Sequence, residues 1–233
     1  MSASPHSFPK LPRGPDVLGE LLHSLSQPLT SLRCSLELSI EEVAEQQQES
    51  VAVALQQTEK VIGMIQLMRE YLDAEQPGPE TFSSALAPTM RSVIEELSSI
   101  AEVRSIQLRL VGTCTATLPV PESRLRLALQ YLIASMIDAQ PVGGKVTLLL
   151  GEGPAGAVLR VEGERGFRGL EPSATSPQTK RDPAMTTSTL RRVKLAIASR
   201  VLETAGASLV FGDGDVDPTG FVLRIPRRVG PPA

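Results

Sequence analysis

The stretch LLHSLSQPLTSLRCSLEL, residues 21–38, combines a histidine with a proline inside a run of helix-forming residues. The neutral imidazole of His23 is a nucleophile that can accept a phosphoryl group at physiological pH. Pro28, five residues later, cannot donate a backbone hydrogen bond, and its ring clashes with the carbonyl group of Ser24. Because a kink costs a regular helix about 3 kcal/mol or more, a hinge beside a reactive side chain is a reason to tolerate one.

The segment around His23 has the apolar spacing of a helix that packs against other helices. Its apolar residues recur mostly in alternating steps of four and three: Leu18, Leu22, Leu25, Leu29, Leu32, Leu36, Ile40 and Val43. His23 directly follows Leu22, so we expect it to lie beside the buried seam and to stay accessible to solvent. Asp16 is the expected N-cap, and the polar stretch 45–50 is the expected turn.

A second helical run lies between this turn and a linker rich in proline and glycine, residues 75–81. Its core positions are Val51, Leu55, Thr58, Ile62, Ile65, Met68 or Tyr71, and Leu72. Residues 16–74 are therefore predicted to form an antiparallel helical hairpin. Since one hairpin cannot bury its seam well, two should pair as a four-helix bundle, so we expect a homodimer.

The rest of the chain, residues 82–228, alternates between helical and strand patterns. Helices are predicted at 84–104, 123–140 and 190–206, and strands at 106–112, 145–151, 156–163, 207–212 and 220–226. Gly206 is the expected C-terminal cap of the last helix. This order predicts an α+β domain, a two-layer sandwich of helices on a sheet. Residues 1–15 and 229–233 are expected to be loose tails.

Composition and charge exclude several classes of function. The net charge of −3 gives no basic field for nucleic acid. No apolar run reaches the roughly 18 residues that a membrane span needs. Cys34 and Cys114 lie among apolar residues, so both are expected to be buried and reduced. We therefore expect a cytoplasmic protein that binds neither nucleic acid nor membrane.

The segment His23-Ser-Leu-Ser-Gln-Pro-Leu-Thr30 resembles the phosphoacceptor box of bacterial sensor histidine kinases, His-Glu/Asp-Leu-x-x-Pro-Leu-Thr. The resemblance extends over residues 16–226. It implies a dimerising hairpin followed by an ATP-binding domain of the histidine kinase (GHKL) type. It also implies that His23 is phosphorylated and that the kink at Pro28 lets the helix bend during signalling.

Two positions in this box differ from the family pattern. Ser24 stands where the family usually has an aspartate or glutamate that orients and activates the imidazole, and a hydroxyl cannot hold a carboxylate's charge. Gln27 stands four residues after the histidine, at a position that the family links to dephosphorylation of the partner. Its amide can still orient a water molecule.

The segment from Tyr131 to Val146 resembles the family's N-box, Asn-Leu-x-x-Asn-Ala-x-Lys-x-x-x-x-Gly-Gly. Tyr131 replaces the first asparagine. Ser135 replaces the second, whose oxygen in the family binds the Mg²⁺ that bridges the phosphates. A hydroxyl is a weaker and shorter ligand, and Mg²⁺ requires close octahedral geometry.

Two further boxes are altered at the positions that carry chemistry. Glu162 or Glu164 would have to substitute for the family's adenine-binding aspartate in Asp-x-Gly-x-Gly, and neither register restores both glycines. Arg192 and Lys194 replace the glycines of Gly-x-Gly-Leu-Ala-Ile, where backbone N–H groups approach phosphate. These two side chains can bind phosphate only by charge.

An intact His-x-x-x-x-Pro-Leu-Thr pattern beside three altered nucleotide boxes favours a phosphorelay protein of histidine kinase architecture. His23 would exchange phosphate with an aspartate on a response-regulator receiver domain, with ATP chemistry weakened or lost. One alternative is a divergent autokinase that uses ATP and Mg²⁺, with Glu162 or Glu164 reading adenine and Ser135 holding the metal. Another alternative is a non-catalytic dimeric adaptor, and a third is an unrelated α+β sandwich.

Overall fold

A computed structural model describes residues 15–41, 44–76, 82–164, 183–211 and 220–227. The helices are α1 (Pro15–Glu41), α2 (Ala44–Glu75), α3 (Leu86–Val103), α4 (Glu122–Ala139) and α5 (Pro183–Thr204). The strands are β1 (Ser84–Ala85), β2 (Gln107–Gly112), β3 (Thr117–Leu118), β4 (Lys145–Gly153), β5 (Gly156–Gly163), β6 (Ser208–Phe211) and β7 (Phe221–Pro226). The predicted tails, except Pro15, and residues 77–81 of the predicted linker lie outside the described residues.

Two long helices, α1 and α2, lie in the segment where the sequence predicts a helical hairpin, and the structure corrects two details of that prediction. α1 begins at Pro15, so Asp16 lies in the first turn and is not the N-cap. Proline suits a first turn because its missing N–H would have no helical partner there. The predicted turn at 45–50 is wrong, since α2 begins at Ala44. Glutamate and glutamine are good helix formers, and they extend the helix through this stretch.

The sandwich is built on a five-stranded sheet in the order β2-β4-β5-β7-β6. β2 is parallel to β4, and the other neighbouring pairs are antiparallel. Alternate residues of the central strands are buried in the helical layer, as in Val146, Leu148 and Leu150 of β4. The opposite side of β4 and β5, called the outer face below, carries partly exposed side chains such as Leu149 and Arg160.

The helical layer supplies an aliphatic core, as the low aromatic content requires. Helix α4 contributes the largest share of fully buried side chains: Leu125, Leu129, Leu132, Ile133, Met136 and Ile137. Burying a side chain of this size contributes about 1.5–3 kcal/mol, so this helix is a main source of the domain's stability. The positions of the side chains on α4 are correspondingly fixed.

Two short strands in the sandwich are absent from the predicted element order. β1 pairs antiparallel with β3, and the hydroxyl of Ser84 donates to the carbonyl of Val120 at 2.5 Å. Each strand has two residues, which is too short for an alternating pattern to be visible. The predicted cap at Gly206 is confirmed, with φ +81° and a hydrogen bond from Ala207 N to Leu202 O of 2.9 Å.

The chain divides into two compact units. One comprises the described residues 15–73 and 183–193, and the other comprises 74–164, 194–211 and 220–227. Helix α5 therefore contributes residues to both units. The domain boundaries placed by sequence, 16–74 and 82–228, remain a prediction.

The two cysteines have different environments. Cys114 is buried, as expected, and burial is the main reason that the pKa of its thiol is raised. Cys34 is exposed on α1, so the expectation that both cysteines are buried is wrong. Within the described residues, no helix is both long and apolar enough to cross a membrane.

Candidate functional site

His23 is exposed on α1, as the sequence predicts. Its neighbour Ser24 is only 8% exposed, and Pro28 is also buried, so both lie on the opposite, buried side of the helix. Val17 and Leu21 belong to the same buried side, at the steps of three and four that one helix face requires. The imidazole is therefore held by a well-anchored helix while it remains open to a partner molecule.

Hydroxyl groups bond to the backbone in the turns on either side of the proline. Ser26 donates to the carbonyl oxygen of Leu22 at 2.9 Å, and Thr30 donates to that of Ser26 at 2.8 Å. Pro28 has no N–H for the carbonyl of Ser24, so the regular hydrogen-bond ladder is interrupted next to His23. The hydrogen bonds from the Ser26 and Thr30 hydroxyls to the carbonyls four residues earlier also tend to bend helices. Helix α1 nevertheless continues through Pro28 to Glu41.

Two further sequence candidates, Gln27 and Ser24, lie near His23 along α1. Gln27 is exposed four residues after His23, so both side chains lie on the same face of α1. Ser24 is buried and turned away, so the residue next to the histidine offers neither a carboxylate nor an accessible hydroxyl.

The predicted seam of the hairpin is exposed in the single chain. Its most exposed members are 44–61% accessible: Leu22, Leu29, Leu36, Val51, Leu55, Ile62, Ile65 and Leu72. On α2 these residues follow one another at steps of three, four or seven, the spacing of a coiled-coil seam. A monomeric soluble protein rarely exposes an apolar stripe of this length, because covering it stabilises the protein. His23 lies beside this stripe and outside it.

The N-box candidates lie one helical turn apart on α4. Ser135 is 3% exposed and already takes part in an interaction within the chain. A hydroxyl so deeply buried is not available to a hydrated Mg²⁺, which usually keeps several of its waters. Tyr131 is contacted by Lys194 of α5, whose Nζ lies 5.4 Å from the centre of the tyrosine ring. Tyr131 and Lys194, which both differ from the family pattern, therefore contact each other.

The two glutamates considered for adenine binding lie at the end of β5. Glu162 is the register partner of Thr147 and pairs with Arg160 at 3.7 Å on the outer face. Successive strand residues point to opposite faces, so Glu162 points away from the helical layer that holds Tyr131 and Ser135. Glu164 is exposed just beyond the strand. The structure does not bring Glu162 together with the candidates on the helices.

A glycine and a glutamine occupy the place between these glutamates and the helical layer. Gln140 is 3% exposed, and its side-chain amide donates to the carbonyl of Met136 at 3.1 Å. A Cβ atom added to Gly163 would lie 2.5 Å from Nε2 of Gln140. Sequence reasoning did not select this pair. A glycine at the end of a strand was the available signal, since it marks a close approach of another group.

The remaining phosphate-site candidates are half-buried near the middle of α5. Arg192 and Lys194 are partly accessible, and both already have partners within the chain. Among the described residues, no group of three or more histidine, cysteine, aspartate or glutamate side chains could hold a metal ion.

Comparison with known proteins identifies the fold. No family model matches the chain, and no curated protein matches it. The solved structure of the Acinetobacter baumannii histidine kinase AdeS is similar, with a TM-score of 0.61 and 16% identity over 88% of this chain and 97% of that one. The chain has the fold of a sensor histidine kinase core.

Two further solved structures resemble the chain at lower TM-scores. A histidine kinase from Burkholderia phymatum STM815 has a TM-score of 0.46 and 17% identity, over 87% of this chain and 94% of that one. A bacterial phosphotransferase has a TM-score of 0.39 and 16% identity, over 93% of this chain and 98% of that one. At these scores neither structure adds to the argument.

Proposed function

We propose that this protein is a phosphorelay component of two-component signalling, with His23 as the group that carries phosphate. One observation carries the proposal. In a chain with the fold of a histidine kinase, the imidazole is exposed on α1 five residues before a buried proline. The donor is the phosphorylated aspartate of a response-regulator receiver domain.

The transfer uses the exposed side chain and needs no nucleotide. The lone pair of an imidazole nitrogen attacks the phosphorus atom, and the bond from phosphorus to the aspartate oxygen breaks. The aspartate carboxylate leaves with the electron pair. The phosphorylated imidazole then loses the proton on its other ring nitrogen to solvent, which leaves a neutral phosphohistidine ring. Gln27 lies one turn away, where it contacts the incoming phosphoryl group.

The residues of the altered nucleotide boxes support a phosphorelay component over an ATP-dependent kinase. Ser135 is buried, Lys194 contacts Tyr131, and Gln140 packs on Gly163, so these side chains already interact within the chain. The proposal gives the sandwich a structural role, which its aliphatic core supports.

The exposed seam supports a homodimer. Two hairpins that pair through this seam form a four-helix bundle and remove the stripe from water. His23 remains outside the seam, so both copies can present their imidazoles to receiver domains.

Phosphotransfer is the direct test. A panel of receiver domains is charged with radiolabelled acetyl phosphate and mixed with the protein and with its His23→Ala variant. The expected result is acid-labile, alkali-stable label on the wild-type chain and none on the variant. Gln27→Ala is the second variant, and it should accept label more slowly while the fold is unchanged.

The same assay with radiolabelled ATP and Mg²⁺ separates the alternatives. We expect no label on either protein, with melting curves that show both to be folded. Label on the wild type alone would establish a divergent autokinase and overturn the loss of ATP chemistry. If no receiver domain donates phosphate and His23→Ala signals normally in cells, the protein is a non-catalytic adaptor.

A further inference from the structure

The outer face of the five-stranded sheet carries an excess of basic side chains. Strand alternation places Arg109 of β2, Arg160 of β5 and Arg224 of β7 on this face. Lys145 of β4 lies on it as well. At the outer positions of these four described strands, Glu162 is the one acidic residue. The chain as a whole has a net charge of −3, so the sign of this face is opposite to that of the molecule.

An apolar groove lies between these charges. It has a volume of ≈ 330 Å³ and is lined on this face by Val111, Leu149 and Val158, with Arg160 as the charged member of its wall. Gly112 and Gly151 also line it, and a Cβ atom added at Gly151 would meet nothing within 4 Å. Val111 is 39% exposed, so the groove is accessible from solvent.

The strand register places the arginines around the groove. Arg160 is the register partner of Leu149, and Arg224 is the register partner of Val158. Neighbouring strands lie about 4.8 Å apart, so the backbone of each arginine is next to that of an apolar wall residue. Arg109 lies two residues before Val111 on the same face of β2. The groove is therefore an apolar site with positive charge on more than one side.

We propose that this groove is a docking site for an acidic segment of a partner protein, in which an apolar side chain stands between carboxylates. The apolar side chain fills the groove, where its burial contributes binding free energy. The carboxylates pair with the arginines, whose planar guanidinium groups match carboxylate geometry. This site is on the face opposite to the nucleotide-box candidates on the helices, and the proposal does not depend on phosphotransfer at His23.

Two other anionic partners fit this surface less well. A nucleic acid brings phosphates but no apolar side chain for the groove, and the described face has no aromatic residue on which a base could stack. A membrane surface is bound by apolar side chains that protrude, whereas two of the residues that line this site are glycines. A protruding side chain on an acidic protein segment matches both the shape and the charge.

Fluorescence anisotropy with labelled peptides tests the proposal. The probe is the peptide Asp-Glu-Leu-Phe-Glu-Asp, and its matched control is the same peptide with both apolar residues replaced by glycine. The probe should bind about tenfold more tightly than the control, because one buried side chain contributes more than 1.4 kcal/mol. Labelled oligothymidine and phosphatidylserine vesicles are measured in parallel.

Charge variants locate the site. Arg160→Gln and Arg224→Gln should each lower the affinity for the probe peptide about threefold. The double variant should lower it about tenfold, since an exposed ion pair contributes about this much. Glu162→Gln should tighten binding, since it removes the acidic side chain beside Arg160. Arg91→Gln, on the exposed surface of α3, is the control and should leave the affinity unchanged.

Equal binding of the two peptides, or an affinity unchanged in the double variant, would overturn the proposal. Arginine-dependent binding of oligothymidine or vesicles without peptide binding would also overturn it and would identify the other class of partner. Melting curves confirm that every variant is folded.

Discussion

Gly163 and Gln140 approach so closely that a Cβ atom on the glycine would lie 2.5 Å from the amide nitrogen of the glutamine. The glutamine is buried and hydrogen-bonded to α4, so it has little freedom to move away. A side chain at position 163 is therefore excluded by packing. Gly163 lies between the two glutamates that the sequence offers for adenine binding, so this packing fixes the end of β5.

Replacement of this glycine should destabilise the protein. We expect Gly163→Ala to lower the free energy of unfolding by about 1–3 kcal/mol, the usual range for overpacking a filled site. Urea denaturation followed by circular dichroism measures the change. Gly151→Ala is the matched control, because nothing lies within 4 Å of the added Cβ there, and its stability should be unchanged or slightly raised. Equal effects of the two substitutions would contradict the proposed packing.

A charge in the exposed seam should dissociate the proposed homodimer. Ile62 is 58% exposed in the single chain, so Ile62→Glu should change the stability of the monomer little. In the proposed four-helix bundle it places an unpaired charge in the apolar seam. Light scattering after gel filtration should show the wild type at twice the mass of the variant. Val103→Glu, at a position 87% exposed on α3, should remain dimeric. A monomeric wild type would refute the four-helix bundle.

One carboxylate should contribute to the pH dependence of stability. The backbone N–H of Thr115, followed by its hydroxyl at 2.7 Å, holds the pKa of Glu152 below its usual value of 4.5. Because this pKa is lowered in the folded state, the stabilisation is present above 4.5 and is lost as the pH falls through the folded-state pKa. Glu152→Gln should therefore lose less stability on acidification than the wild type does.

Chemical denaturation at a series of acidic pH values measures this difference. Glu95→Gln, at an exposed position on α3, is the control and should follow the wild-type profile. If Glu152→Gln also follows that profile, the contact with Thr115 does not stabilise the fold.

The two cysteines should differ in their reaction with iodoacetamide. The thiolate is the reactive form, and burial both shields Cys114 and raises its pKa. Cys34 is exposed on α1 and should be alkylated first, as read by mass spectrometry of the digested protein. Cys34→Ser, which keeps the buried thiol, should react only slowly until denaturant is added. Rapid alkylation of Cys114 in the folded variant would contradict its burial.

Much of the fold follows from periodicity that the sequence displays. The helix that became α4 and the strand that became β5 were predicted to within one residue, since their apolar residues recur at the spacing of a single buried face. The turn at 45–50 was predicted wrongly because polarity alone does not end a helix of glutamate and glutamine. The pair β1 and β3 was missed, since two residues show no period.

The sequence by itself determined the position of His23 on an accessible helix face and the replacements in the nucleotide boxes. Local spacing and residue type are sufficient for both, because a helix repeats every 3.6 residues whatever lies around it. Only the tertiary structure decided that Glu162 points to the outer face and that Gln140 fills the space beside Gly163. Strand register sets the orientation of Glu162, and packing between distant residues sets the contact of Gln140 with Gly163. Neither can be predicted from the residue spacing within one segment.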